Sequence, residues 1–477
     1  MIGMKVTNRI KKKLLINIGA TLDVPTASFI TGARGETIMN GGLSSSTAVA
    51  GPGNSFKSTL IHYMMLSAAN RMTLSTPVGM HTYDTEINID LDRLGMLTRR
   101  FDYLTEDIVS GEEPSWTIAD KNTYSADKWI IMLRDFLKEK ESSKDVEFTA
   151  FKDPDGSGVY KHKTPYFAEV DSFSEFESET TMDMLANSTK DDGSTNTLFM
   201  RQGLFKTKFL SELPGMTAKS NTYMFLTAHI GESIDMGGMY APKPTKKLQY
   251  IKAGDKLKGV SSKFFFLTSS AWMANTASVL KNQSTKLPEY PIGDDSKVET
   301  DLNLVSITQL RSKHGASGYS LSIVISQVEG VLPSLTEFHH IKSNNRYGLS
   351  GSLTSYSLDL LPDVKLSRTT VRRKIDNDVK LRRVLNITSE MLQIEKFHPI
   401  VREMQLLCTP KELYEDIKAL GYDWDTLLDT RGWWTIDQYN VDVNFLSTMD
   451  LLKMRKKKYI PYWLSKEDKA KLKYEVQ

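Results

Sequence analysis

Cysteine is almost missing from this chain: Cys408 stands alone in 477 residues. One thiol cannot form an intramolecular disulfide, and its isolation fits a reducing compartment, with cytoplasm the expected location. There is no Cys/His zinc pattern, His339-His340 has no further ligands in register, and no Ser–His–Asp arrangement can be argued from spacing. No run of 18 apolar residues occurs, so no membrane span is expected. The basic opening, with Arg9, Lys11, Lys12 and Lys13, has too short an apolar run for a signal peptide. An excess of one charge is also missing, since 61 Lys and Arg face 58 Asp and Glu for a net +3. The whole-chain charge does not announce a polyanionic partner, so local clusters must carry any such claim. What is present is 40% hydrophobic and 25% charged residues, the composition of a packed globular protein. The length suits one large domain with appendages, or two to three domains.

A glycine is missing where chemistry would want one. Ala50–Leu60 reads AGPGNSFKSTL, close to the phosphate-loop pattern G-x-x-x-x-G-K-[ST]. The loop would comprise Gly51, Pro52, Gly53, Asn54, Ser55, Phe56, Lys57, Ser58 and Thr59, with Phe56 in the place of the last glycine. In such a loop, backbone N–H groups point at phosphates, the lysine places a charge on the outer ones, and the hydroxyl of Ser58 can bind Mg²⁺. An apolar strand runs into the loop and a helical pattern over Leu60–Asn70 follows, the context the motif requires.

Further along, Val78–Glu86 reads as a strand ending in Asp84 and Glu86, and Ile87–Phe101 as a helix. Trp129–Glu141 is amphipathic, Thr164–Ser172 is a buried strand ending at Asp171, and a long polar loop spans about 175–197. Leu198–Leu213 reads as a helix and Asn221–Ala228 as a strand ending at His229; a Gly- and Lys-rich loop covers Gly231–Ser262. Strands are expected at Phe264–Ser269, Val305–Leu310 and Tyr319–Gln327. The alternation predicts an α/β fold whose mainly parallel twisted sheet is flanked by helices. A short segment, 1–34, precedes a core over 35–334; a mostly helical, basic region occupies 335–477.

Ligands of open α/β sheets bind at the carboxyl ends of strands, where four candidate groups fall. Gly51 opens the phosphate loop; Asp171 would hold Mg²⁺ beside Ser58. Glu86 would orient or deprotonate the water that attacks the γ-phosphate. His229 would touch that phosphate and report it to the loop that follows.

These residues, in this order, resemble those of RecA-superfamily ATPases, most of all the phage UvsX-type recombinases. GPGNSFKST resembles that family's phosphate loop, phenylalanine included; YDTE, EVDS and LTAHIGES resemble the segments carrying its catalytic glutamate, its metal-side aspartate and its γ-phosphate sensor. The similarity covers roughly 35–330. It implies a RecA-like ATPase core with an amino-terminal polymerisation segment, and hydrolysis of ATP with Mg²⁺. LRSKHGASGYSLSIVI resembles the segment that reaches ATP across a subunit interface, which implies Arg311 and Lys313 as cations acting in trans. It further implies a homo-oligomeric filament on single-stranded DNA that pairs with homologous duplex, in a bacterial host's cytoplasm if phage-encoded. A single-strand-binding protein and a mediator are implied as further partners.

The loop after His229 supports DNA contact by its own chemistry. Lys243, Lys246, Lys247, Lys252, Lys256 and Lys258 face one acid, Asp255, with Tyr240 and Tyr250 interleaved. Cations for phosphates and rings for bases make a single-strand binding surface. The earlier polar loop is instead acidic, with Glu175, Glu177, Glu179, Asp183, Asp191 and Asp192. Basic clusters around Arg372-Arg373-Lys374, Arg382-Arg383 and Lys453–Lys458 suggest duplex capture or partner docking, or plain exposed helices. Two rivals share the core. A DnaB-type ring helicase would want a helical domain before residue 40 and does not explain Phe56. A regulatory ATP-binding assembly factor would suit Phe56 but not Glu86.

Overall fold

The computed structural model describes residues 14–74, 76–153, 158–187, 194–232, 255–275, 277–282, 284–292, 300–352 and 354–474. A hairpin of β1 (Ser28–Thr31) and β2 (Thr37–Asn40) comes first, then β3 (Ser46–Gly51) and α1 (Lys57–Met72). β4 (Gly79–Asp84), α2 (Leu91–Thr98), α3 (Asp107–Ser110), β5 (Trp116–Asp120) and α4 (Ala126–Ser142) follow. A second hairpin, β6 (Glu147–Lys152) and β7 (Val159–His162), precedes β8 (Tyr166–Asp171), α5 (Glu179–Asn187), α6 (Ser194–Ser220) and β9 (Thr222–Glu232). The core closes with β10 (Asp255–Leu257), α7 (Lys263–Leu267), β11 (Ser270–Ala274), β12 (Ser278–Val279), β13 (Leu302–Ser312), β14 (Ser320–Ser326) and β15 (Gly330–Val331).

Six strands form a parallel block in the order β5-β4-β8-β9-β3-β11, and β13, β14 and β15 extend it antiparallel. The fold is therefore α/β, with a mixed, mostly parallel sheet flanked by helices, the class expected from the sequence. Strand residues alternate between two cores. Val49, Tyr223 and Phe225 pack with α1 on one face; Ala48, Ala50, Met224 and Leu226 pack with α4 and α6 on the other. Burial on both faces is why these strands read as continuous apolar runs.

Three expectations change. The polar stretch 175–197 is not one long loop, because α5 and the start of α6 lie in it. Its Thr-, Met- and Leu-containing stretches are compatible with helix, and composition alone suggested a loop. Phe264–Ser269 is not a strand: it supplies α7, which buries Phe264 and Phe265 and leaves Phe266 exposed, and the strand starts at Ser270. Three consecutive rings carry no period that separates helix from strand. Finally, β9 does not stop before His229 but continues to Glu232, where Ile230–Glu232 pair antiparallel with β10.

The remainder packs on the core rather than beside it. α8 (Pro333–Ser343) lies on β14, and a small meander follows: β16 (Leu349–Gly351), β17 (Tyr356–Leu358) and β18 (Leu361–Leu366). Helices α9 (Val371–Asn377), α10 (Val379–Phe397), α11 (Pro399–Glu403), α12 (Pro410–Ala419), α13 (Trp424–Leu428), α14 (Thr448–Arg455) and α15 (Lys466–Ala470) complete it. One apolar cluster joins Val24, Tyr290 and Phe338 to Leu385, Leu413 and Trp424. Gln393 donates to the Thr21 carbonyl (2.8 Å), and Trp434 donates to the Leu15 carbonyl (3.0 Å) with its ring edge-on to Phe151. Residues 14–24 are thus largely buried within their own chain.

Two arginines of the basic stretch near 372 are internal, while Arg373 is exposed. Arg372 is buried against Asp301 (2.8 Å) and Glu329 (2.5 Å), and Arg383 is buried on Asn386 (2.7 Å) and the Leu446 carbonyl. These two arginines are spent on the joint between core and carboxyl-terminal region, so an exposed DNA-capturing role does not apply to them. Of the later cluster, Lys453 donates to Thr37 (2.7 Å) and Arg455 pairs with Asp416 (2.6 Å).

Candidate active site

The loop between β3 and α1 explains its odd residue. Phe56 caps α1 in the left-handed region, at φ 58° and ψ 31°, and Asn54 is left-handed too, at φ 56°. Glycine adopts that conformation without a Cβ clash. Phe56 keeps the backbone shape that the missing glycine would give, and its half-buried ring packs on the core around α1. Gly51 is required for a different reason: a Cβ there would lie 2.5 Å from the Ala274 carbonyl and from Ser55 Oγ. Lys57 Nζ and Ser55 Oγ both donate to the Pro52 carbonyl, at 2.8 and 2.9 Å. Burial draws the Lys57 ammonium below its ordinary pKa, with Asp171 and Glu86 opposing. A cavity of about 590 Å³ opens over Asn54–Thr59, bordered across the sheet by Asn303 and Gln327. That volume suits a nucleotide-sized ligand.

Asp171 ends β8 beside the loop. It accepts a hydrogen bond from Thr227 Oγ1, and the Ser58 hydroxyl is close enough to oppose the rise in its pKa. Burial raises its pKa, and so does Glu169, two residues back on the same face of β8. A hydroxyl and a carboxylate make an all-oxygen donor pair, suited to a hard cation, and the desolvated Asp171 is a group a cation would stabilise. Behind it, His62 Nε2 lies 3.4 Å from Glu169 Oε2, which also accepts from Thr82 (2.9 Å). Burial opposes the charged form of His62, but the acids Glu169, Asp171 and Asp84 outweigh it and raise its pKa.

Beyond β4 the two acids part company. Asp84 accepts four backbone N–H groups, from Glu86, Ile87, Asn88 and Ile89, at 2.8–2.9 Å. It is therefore the organiser of the 85–89 turn, which replaces the first part of the helix expected from Ile87. Glu86 is freed to face the site, where its Oε1 lies 2.7 Å from His229 Nε2. Burial would raise its pKa, but hydrogen bonds from His229 and Asn88 prevail and leave it low. Thr85 couples the ends of β4 and β8, since its hydroxyl donates to the Ser172 carbonyl and accepts from the Ser172 N–H, both at 2.8 Å.

His229 is tied on both sides. Its N–H donates to Ser174 Oγ (2.9 Å), and its carbonyl accepts from the Lys258 N–H (2.9 Å). The β9–β10 ribbon thus begins at the histidine. Lys258 lies over Gly231 and is close enough to lower the pKa of Lys57. It faces the phosphate loop, whereas Lys256 lies on β10. Lys243, Lys246, Lys247, Tyr250 and Lys252 fall outside the described residues.

Arg311 and Lys313 do not join this cluster. Arg311 is in register with Ala271 and, through it, with Ala48, while the Lys313 N–H bonds the Ser269 carbonyl. They sit toward the amino ends of the parallel strands, away from the phosphate loop. Sequence reading missed His62, Glu169, Ser174 and Lys206. Lys206 is buried, with its ammonium on the Ser174 and Gly259 carbonyls (2.7 and 2.9 Å), and burial brings its pKa down to about 8. A carboxylate inside the apolar run FAEVD was the one visible signal, at Glu169. No protein-family model matches the chain, and no curated protein does either.

Proposed function

We propose that this chain is an ATP-dependent homologous recombinase of the RecA superfamily, of the phage UvsX type, which assembles as a filament on single-stranded DNA. The observation that carries the reading is the convergence of Lys57, Ser58, Asp171, Glu86 and His229 at the carboxyl ends of four neighbouring strands, β4, β8, β9 and β3. Its chemistry is that of a nucleoside triphosphatase. Loop N–H groups and Lys57 hold the phosphates; Mg²⁺, when bound at Ser58 and Asp171, neutralises charge on the phosphate oxygens. Glu86, kept ionised by its hydrogen bonds, orients a water molecule. The water oxygen bonds to the γ-phosphorus as its proton passes to the Glu86 carboxylate, the bond to the β,γ-bridging oxygen breaks, and ADP and phosphate leave. His229 exchanges its bond to Glu86 for one to the γ-phosphate, and the ribbon that starts at its carbonyl carries the difference to 233–254, whose lysines and Tyr250 take the DNA strand. Arg311 and Lys313 reach a phosphate only on a neighbouring copy, so hydrolysis depends on assembly.

Negative-stain electron microscopy with single-stranded DNA and a non-hydrolysable ATP analogue tests this. Regular helical filaments requiring both ligands are expected. Closed rings would replace the reading by a ring helicase. Nucleotide binding without assembly, together with a Glu86→Gln variant of unchanged turnover, would replace it by a regulatory factor.

A further inference from the structure

A second cavity, of about 410 Å³, lies between the core and the carboxyl-terminal region, on the other end of α1 from the phosphate loop. Its walls come from α1, the 100–103 turn, the start of α8, α10 and residues 428–433. Five arginines line it (Arg71, Arg100, Arg382, Arg383 and Arg431) against the acids Asp102, Asp429 and Glu337. Glu337 is buried, which with the nearby Glu390 pushes its pKa up to about 8, so it carries a proton at neutral pH. Five arginines then face only Asp102 and Asp429 within the lining, while Asp23, Glu329 and Asp376 pair with Arg71 and Arg100 from outside it.

The hydrogen-bond ledger points the same way. Arg431 is committed to the carbonyls of Val443, Trp433 and Gln438, and Arg100 to Glu329 and Asp376. Two buried donor atoms among the lining residues have no acceptor: Arg383 Nε and Trp433 Nε1. No lining residue has an unmatched buried acceptor among the described residues. Buried polar groups are nearly always satisfied, so what belongs here brings acceptors and negative charge. Arg382 is held only loosely, 3.4 Å from Asp102, with its side chain 31% exposed at the rim. Aromatic surface is present as well: Trp433 lies under the Arg71 guanidinium at 4.7 Å, and Phe101 and Tyr103 also line the cavity. Guanidinium forks bind phosphate oxygens, and ring faces accept a planar base.

We propose that this cavity is a second, separate nucleotide site that takes a nucleoside monophosphate, its phosphate on Arg382 and on Nε of Arg383, whose two amino groups stay on Asn386 and the Leu446 carbonyl, and its base against Trp433 and Phe101. The site sits on the joint between α1 and α10, so its occupant would bias how the carboxyl-terminal region seats on the core. The inference does not rest on the phosphate-loop reading.

The test is isothermal titration of the full-length Lys57→Ala protein, in which the phosphate loop is disabled, with AMP, GMP, CMP, UMP and inorganic phosphate. Binding of at least one monophosphate, tighter than inorganic phosphate, is expected. Arg382→Gln should weaken it roughly tenfold, the loss of one charge-assisted hydrogen bond. Trp433→Phe, which keeps the ring and removes the donor, should weaken it several-fold; if that variant does not fold, the rim variant decides alone. No binding of any monophosphate up to about 1 mM, affinity unchanged in Arg382→Gln, or inorganic phosphate binding as tightly as the nucleotides would each overturn the proposal.

Discussion

Phe56 offers a sharp stability test because two effects of opposite sign act on one residue. At φ 58° a side chain with a Cβ is held in the left-handed region, at a cost of roughly 1–2 kcal/mol that glycine does not bear. The ring's half-buried packing on the core around α1 offsets this. Phe56→Ala removes the ring and retains the strain. Phe56→Gly removes the ring and the strain, but loosens the unfolded chain by about 0.4–1 kcal/mol. The glycine variant should therefore be the more stable of the two by about 0.5–1 kcal/mol, and the ordinary preference for glycine over alanine at an N-cap runs the same way. Urea midpoints read by tryptophan fluorescence give the comparison, and nucleotide affinity should rank in the same order, since the loop keeps its backbone shape only where αL is accessible. A Phe56→Ala protein as stable as Phe56→Gly would refute the argument that backbone conformation, rather than the ring, defines this position.

Asp84→Asn leaves two of the four turn N–H groups without a carboxylate oxygen; the loss should be about 1–3 kcal/mol, and steady-state assays should show turnover falling with ATP affinity largely kept. Arg372→Met leaves Asp301 with Ser326 and Glu329 with Arg100 as their remaining partners and should destabilise by about 1–3 kcal/mol, measured as a drop in urea midpoint; a neutral result would mean that those remaining partners suffice. The folded-state pKa of Glu337 is raised from 4.5 to about 8, so the native state holds its proton more tightly than the unfolded chain. Stability is then lost as pH rises from about 4.5 to 8. Thermal melts across that range should show Glu337→Gln with a shallower decline, and an identical slope in the two proteins would rule out this carboxyl as a contributor. Asp23 and Asp450, with pKa values pushed by burial to about 6 and about 7, retain part of the slope.

Much of this was legible in the sequence for identifiable reasons. Strands buried on both faces announce themselves as apolar runs, so β3, β4, β8 and β9 and the residues at their ends could be placed without coordinates. The phosphate loop has fixed spacing, and its helix follows at once. Where local pattern decides nothing, reading failed: three successive phenylalanines at 264–266 fit helix and strand alike, and the acidic stretch after Asp171 carries enough polar residues to hide two helices. The split between Asp84 and Glu86 was invisible too, because it depends on which way four N–H groups turn. Arg372 and Arg383 looked like surface charge; only the three-dimensional neighbours Asp301, Glu329 and Leu446 reveal them as internal.

The seam made by Trp434 and Leu15 has a consequence for where this chain can be cut. A boundary near 334 looks natural in the sequence, yet an excised core ending there would lose the indole that bonds the Leu15 carbonyl, the Gln393 amide on Thr21 and the Asp450 carboxylate on the Thr37 N–H (2.7 Å). The early and late parts of the polypeptide act as a clasp around the sheet. The carboxyl-terminal third is better regarded as the outer wall of the α/β core than as a detachable module.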